Sequence, residues 1–240
     1  MLRKWSKVLR IQKSCYSYPV AAGERNRSLL ECVDKAEVRV FFDRLAPGWD
    51  DQLIVWPEKM ERILDAACIG EGANVLDVAC GTGVMVDFYL QRGATHVTGI
   101  DFSTNMAELC RRKYADEPRV EVVCADAELH EYGHMYDAVM VFNAFPHFPN
   151  PRVLIEHLET YVELGGTLTV AHDMGRKRID DHHSGTASSV SHGMLHEDDV
   201  AALFDSRFSV DVKLSEPDIF IVSATRVEPA SPGAAYQTRS

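Results

Sequence analysis

Val75-Leu76-Asp77-Val78-Ala79-Cys80-Gly81-Thr82-Gly83 is an apolar run that passes directly into Gly-x-Gly. A strand ending in two closely spaced glycines turns tightly, and the missing Cβ atoms let a ligand come against the backbone. Around this junction, from about residue 57 to residue 172, helical and strand patterns alternate. That alternation is the mark of a parallel sheet built from βαβ units.

The pattern can be followed along the chain. Pro57 opens a helix with Met60, Ile63, Leu64, Ala67 and Cys68 on one face, ending near Gly70. Ala73 to Ala79 reads as a buried strand, Val84 to Gln91 as a helix, and His96 to Ile100 as the next strand. Ser103 is placed as the N-cap of a helix that buries Met106, Ala107, Cys110 and Tyr114. Val120 to Cys124 and Ala138 to Phe142 are the third and fourth strands. Asn150 caps a helix reaching Val162, and Gly165-Gly166 is read as the turn into a fifth strand, Thr167 to Ala171. A short helix at Glu197 to Phe204 and two strands, Phe208 to Leu214 and Ile219 to Thr225, close the pattern. The expected fold is α/β, a doubly wound, seven-stranded, mostly parallel Rossmann-like sheet with an antiparallel end.

Two carboxylates sharpen the functional reading. Asp77 lies inside a buried strand, where an unpaired charge is costly. Asp101 ends the next strand, 18 residues after Gly83, where a carboxylate can accept hydrogen bonds from both hydroxyls of a ribose. A nicotinamide dinucleotide site would carry a third glycine where Val86 stands, and Asp77 would repel a pyrophosphate but welcome an ammonium. A nicotinamide-dependent oxidoreductase is therefore the lesser alternative, and the chain also lacks a Tyr-x-x-x-Lys pair. A cofactor-binding scaffold without catalysis is the alternative outside enzymology.

At these residues the chain resembles the class I S-adenosylmethionine-dependent methyltransferases, with Ala79 where many members have glycine. The resemblance extends over about residues 39 to 225, and Phe41 to Asp50 is similar to the cofactor-covering N-terminal segment of the menaquinone and ubiquinone C-methyltransferases. It implies S-adenosyl-L-methionine as cofactor, with Asp77 facing the methionine amino group and the backbone at Ala79, Gly81 and Gly83 lining the methionine and ribose. It further implies that Asp101 holds the ribose diol, that Phe102 packs on the adenine, that Asp126 and Ala127 read the adenine edge, and that Asn143 sits where cofactor and acceptor meet.

The acceptor side is read from the carboxyl ends of strands four and five, where doubly wound sheets bind ligands. His147, flanked by Phe145 and Phe148, is the first candidate for a catalytic base or hydrogen-bond partner, and His172 the second. Five of the ten histidines fall within residues 172–196. That stretch reads either as a solvated polar lid or as a site for a metal or an anionic acceptor. The lid is preferred and no metal ligand is assigned, because adjacent His182 and His183 cannot easily aim at one ion and His192-x-x-x-His196 contains no Glu.

Composition bounds the partners. A net charge of −11 argues against a broad nucleic-acid footprint. The charge is uneven: residues 1–28 carry seven basic side chains against Glu24, a balance of +6 that leaves −17 on the rest. Residues 1–36 are expected to form a basic arm, mobile or part of a lid, residues 37–227 the methyltransferase domain, and residues 228–240 a disordered tail. No apolar run approaches the roughly 20 residues of a membrane span. The six cysteines, without a CxxC pair, read as reduced thiols of a cytoplasmic protein. The expected partner is a small-molecule methyl acceptor, with the acceptor atom and the oligomeric state open.

Overall fold

The computed structural model describes residues 33–183 and 189–227. The basic residues 1–28, the tail after Val227, Cys15 and Cys32, and the side chains of His182 and His183 lie outside the described residues.

Helix α1 (Lys35–Leu45) is capped by Asp34, whose carboxylate accepts from the amides of Ala36 and Glu37. It thus starts two residues before the boundary expected at residue 37. A 3₁₀ turn at Ala46–Gly48 leads to the single turn α2 (Trp49–Gln52). Then follow α3 (Pro57–Ala66), β1 (Asn74–Val78), α4 (Val86–Gln91), β2 (His96–Asp101), α5 (Thr104–Lys113), β3 (Val120–Cys124) and β4 (Tyr136–Phe142). The chain continues through α6 (Pro151–Leu158), β5 (Val162–His172), α7 (Arg176–His183), α8 (Glu197–Ala201), β6 (Phe208–Glu216) and β7 (Ile219–Arg226). Ser103 and Asn150 accept from the amides of Met106 and Val153, so both expected caps form.

The sheet order is β3-β2-β1-β4-β5-β7-β6. β1 to β5 run parallel, and β7 is antiparallel to both β5 and β6. This is the seven-stranded sheet with an antiparallel end expected from the sequence. On one face Leu76, Val78, Val139 and Val141 pack with Leu154, Ile155 and Leu158 of α6 and Val200 of α8. On the other, Val75, Val97, Ala138 and Met140 pack with Met60, Ile63 and Leu64 of α3, Val86 and Tyr89 of α4 and Cys110 of α5. Both faces are covered, which is why β1 and β4 read as near-continuous apolar runs. Consecutive strands on either side of the β1/β4 boundary progress in opposite directions, and that switch point opens the crevice in which doubly wound sheets bind ligands.

Three boundaries differ from the sequence expectation. α3 stops at Ala66, with Cys68 just beyond it at a positive φ of 51°. Gly165-Gly166 is a bulge, not a turn: β5 already begins at Val162, opposite Tyr136, and the register then jumps to Ala138 opposite Thr167. Gly165 supplies φ +80°, and a Cβ on Gly166 would stand 2.8 Å from the Asp137 carbonyl oxygen. The stretch after His172 contains the helix α7, in which only Ile179 is apolar and buried, too little to show a period.

Candidate functional site

A cavity of about 530 Å³ opens at the carboxyl ends of all five parallel strands. Its floor is Ala79 to Thr82 after β1, Asp101 to Ser103 at β2, Asp126 and Ala127 after β3, Phe142 to Ala144 at β4 and His172 to Met174 at β5. Its roof is α1, α2 and the segment Leu53 to Val55. The volume falls in the range of roughly 300–1,000 Å³ typical of small-molecule sites.

The glycine turn sets the floor. Ala79 and Gly81 both take left-handed conformations, φ 56° and 57°. A Cβ on Gly81 would meet nothing within 4 Å, so this glycine faces open space on the cavity side. Gly83 has another task. Its Cβ would lie 2.7 Å from the Tyr114 ring and 2.9 Å from Cys110 Sγ, while the Tyr114 hydroxyl donates to its carbonyl at 3.0 Å. Gly83 does not line the cavity; it lets α5 pack against the turn. Gly83→Ala, at φ +85°, is expected to cost about 2–3 kcal/mol of stability by overpacking and backbone strain. A denaturant titration reads this out, and an unchanged midpoint would contradict it.

Asp101 bridges the first two strand ends. Its Oδ2 accepts from the Gly81 amide at 2.8 Å and its Oδ1 from the Ser103 amide at 2.7 Å. Burial pushes its pKa up to about 6 against these two hydrogen bonds, with a smaller upward push from Asp43. Each oxygen retains acceptor capacity toward the cavity.

Asp77 is 2% exposed and points away from the cavity, toward α4. Tyr89 donates to its Oδ1 at 3.2 Å, and among the described residues its Oδ2 has no hydrogen-bond partner. Burial pushes its pKa up to about 7. The structure therefore places Asp77 beneath the turn, not in the lining, so any attraction for an ammonium in the cavity acts through the turn.

The remaining expected cofactor residues all line the cavity. Phe102 is covered by the Arg39 guanidinium, 5.7 Å from its ring centre. Ala127 is buried. Asp126 is engaged on both oxygens, by Lys35 Nζ at 2.6 Å and by the Glu128 amide at 3.0 Å. Asn143, at φ 52°, donates from Nδ2 to Asp173 Oδ1 at 3.0 Å and accepts the Asp173 amide at 3.1 Å, tying the β4 end to the β5 end.

Both candidate histidines reach the same cavity. His147 sits in a 3₁₀ turn (Phe145–His147), with Nδ1 2.8 Å from the Val190 carbonyl oxygen and its ring edge-on to Phe42 at 5.0 Å. A carbonyl only accepts, so Nδ1 carries a proton. His172 is 2% exposed at the end of β5.

Among the described side chains, His192 and His196 have separate tasks. His192 is half-buried, and desolvation lowers its pKa, with its ring nitrogens against the Gly193 and Phe148 carbonyls; His196 caps α8 through the Asp198 amide. Among the described residues no three His, Cys, Asp or Glu side chains converge as a metal site. Cys68, Cys80, Cys110 and Cys124 are free thiols.

Sequence reasoning missed how the roof is fastened. Asp43 of α1 accepts from Ser103 Oγ at 2.7 Å and from the Asn105 amide at 3.0 Å, at the start of α5. Asp50 accepts from Thr82 Oγ1 in the glycine turn, and Lys35 pairs with Asp126 and Glu128 beyond β3. α1 has no buried residue, so these polar links, not an apolar stripe, locate it. Asp43 and Asp50 fall within the segment singled out by resemblance, whereas Lys35 precedes it.

Residues 75–166 match a family model described as a methyltransferase domain. The magnesium protoporphyrin IX methyltransferase of Synechocystis PCC 6803, solved with bound SAH, superposes with a TM-score of 0.60 at 20% identity, over 80% of this chain and all of that one. The fold is that of the S-adenosylmethionine-dependent methyltransferases. The chain resembles the class I members. It is 30% identical over 140 residues to a demethylmenaquinone methyltransferase of Clavibacter sepedonicus, covering 56% of this chain and 57% of that protein. It is 31% identical over 144 residues to a ubiquinone biosynthesis O-methyltransferase of Azoarcus sp. strain BH72, covering 56% and 61%. The chain thus spans about three fifths of the length of these relatives. The cyclase SpnF has the same fold, with a TM-score of 0.65 at 15% identity over 82% of this chain and 97% of that one. The fold alone does not name the reaction.

Proposed function

We propose that this protein is an S-adenosylmethionine-dependent methyltransferase acting on a small-molecule acceptor by in-line methyl transfer. The observation that carries the reading is Asp101, whose two oxygens are held by the Gly81 and Ser103 amides and keep acceptor capacity toward a cavity floored by the glycine turn. The open space at Gly81 and the apolar contacts available at Phe102 and Ala127 fit a nucleoside with a flexible charged tail.

When bound, S-adenosylmethionine supplies an electrophilic methyl group on a sulfonium. What the chain must add is alignment and exclusion of water, and holding two reactants in register can supply several kcal/mol. The roof of Phe42, Leu45 and Trp49 excludes water from the acceptor end, while Asn143 and Asp173 fix the distance between the β4 and β5 ends. His147, which lines the acceptor side of the cavity, is the side chain we assign to accept a proton from a hydroxyl or an activated carbon, and His172 stands at the neighbouring strand end.

The roof closes over a cavity of small-molecule size, which supports a small acceptor in place of a macromolecule. His147→Ala is expected to lower turnover about tenfold or more while leaving S-adenosylhomocysteine affinity within about twofold. Equal loss of both would make His147 a packing residue. Incubation of cell extract with isotopically labelled donor, followed by mass spectrometry of the product, identifies the acceptor. Absence of any labelled product, with cofactor binding intact, would favour the non-catalytic or cyclase-like alternatives.

A further inference from the structure

The acceptor end of the cavity carries an unbalanced charge. Among the described residues that line the cavity, only Lys35 and Arg39 are lysine or arginine, and both belong to α1. Lys35 is engaged by Asp126 and Glu128 beyond β3, and Arg39 lies over Phe102 just beyond β2. At the ends of β4 and β5 the lining therefore holds one aspartate, Asp173, and no lysine or arginine.

Asp173 is half-buried and held at three points. Its amide donates to Asn143 Oδ1 at 3.1 Å, its Oδ1 accepts from Asn143 Nδ2 at 3.0 Å, and its carbonyl accepts from Lys59 Nζ at 3.0 Å. Lys59 also donates to the Asp218 carbonyl at 2.8 Å and pairs with the Asp218 carboxylate at 3.4 Å, so its ammonium neutralises a different group. Among the described residues the Asp173 carboxylate forms no ion pair, and no hydrogen bond besides that from Asn143. Aromatic rings share this end of the cavity. Phe42 packs edge-on with Trp49 at 5.9 Å and with His147 at 5.0 Å, and Phe148 lines the same wall. The negative faces of such rings attract organic cations.

Resting on the methyltransferase reading, we infer that the acceptor is a small apolar or aromatic molecule carrying a protonated amine, its ammonium on Asp173 and its hydrocarbon body against Phe42, Trp49 and Phe148. An ammonium brings both the N–H donors that the second Asp173 oxygen lacks and the positive charge that these strand ends lack. A carboxylate or phosphate in the same place would meet Asp173 with no lysine or arginine to offset it, and a buried charge without a partner is costly. The −17 carried outside residues 1–28 draws the same class of molecule from solution. The ammonium is the handle by which the acceptor is held, whichever of its atoms receives the methyl group.

Three probes of similar shape test the inference: tryptamine, its alcohol analogue tryptophol, and indole-3-acetate. Their affinities are measured by ligand-observed NMR with the empty full chain, and again with S-adenosylhomocysteine present. Tryptamine is expected to bind at least about tenfold more tightly than tryptophol, and indole-3-acetate more weakly than either. In Asp173→Asn, which keeps an oxygen for Asn143, the two affinities should converge to within about twofold, and Asp173→Glu should restore part of the preference. A general loss of packing lowers both affinities alike and leaves their ratio unmoved, so the ratio isolates the charge. No binding of tryptamine, equal binding of the three probes, preference for indole-3-acetate, or a ratio retained in Asp173→Asn would overturn the inference. A chain that prefers tryptamine yet does not bind S-adenosylhomocysteine would instead refute the cofactor reading, so the two failures are told apart.

Discussion

Asp101→Ala is expected to weaken S-adenosylhomocysteine binding by at least about a hundredfold, measured calorimetrically at pH 7.5. At that pH the carboxylate is ionised, since burial raises its pKa only to about 6. An ionised carboxylate accepts only, and two charge-assisted hydrogen bonds to a vicinal diol are worth roughly 1.5–3 kcal/mol each, or a factor of about 10² to 10⁴ together. The alanine also strips the Gly81 and Ser103 amides of their shared acceptor, loosening the turn that floors the cavity. Asp101→Asn keeps the shape and the acceptor for one of the two amides while its NH2 faces the other, so it should fold at a cost of about 1–3 kcal/mol and still lose most of the affinity. In the unaltered protein affinity should decline as pH falls through about 6, where Asp101 becomes protonated. Retention of affinity within threefold in both variants, or tighter binding of NADH than of S-adenosylhomocysteine, would overturn the cofactor assignment.

The sequence disclosed those parts of this site whose residues are constrained from both sides. β1 and β2 are buried on both faces; β1 runs into the turn at Gly81 and β2 ends in Asp101. The facing of individual side chains was less legible. Gly83 and Gly81 look alike in a Gly-x-Gly, but one opens to the cavity and the other is pressed against Tyr114. Gly165-Gly166 has the composition of a turn, yet the bulge it makes depends on Tyr136 across the sheet. α7 carries one buried apolar residue, Ile179, and α1 none. Their positions come from the docking of Ile179 and from Asp43 and Lys35 finding distant polar partners, relations that no local period encodes.

Asp77→Asn is expected to stabilise the ligand-free protein at pH 8, raising its melting temperature by about 5 °C or more, with the gain vanishing near pH 4. The folded-state pKa of Asp77 is pushed from 3.8 up to about 7 by burial. Between those values the folded chain holds a proton that the unfolded chain has released, so stability is full below about 4 and is lost as pH rises toward 7. The loss is on the order of 4 kcal/mol, and an asparagine that cannot ionise avoids it while still accepting the Tyr89 hydroxyl. A difference of that size moves the melting temperature of a domain of 150–250 residues by roughly 2–4 °C per kcal/mol. A variant less stable than the parent at pH 8 would mean that Asp77 is ionised and well solvated, contrary to its burial. A buried carboxylate with one oxygen lacking a hydrogen-bond partner among the described residues weakens the empty protein at neutral pH. Its negative charge is returned when a cation enters above the turn, so the same variant should bind S-adenosylhomocysteine several-fold more weakly at pH 8, and the affinity of the parent should rise as pH increases through 7.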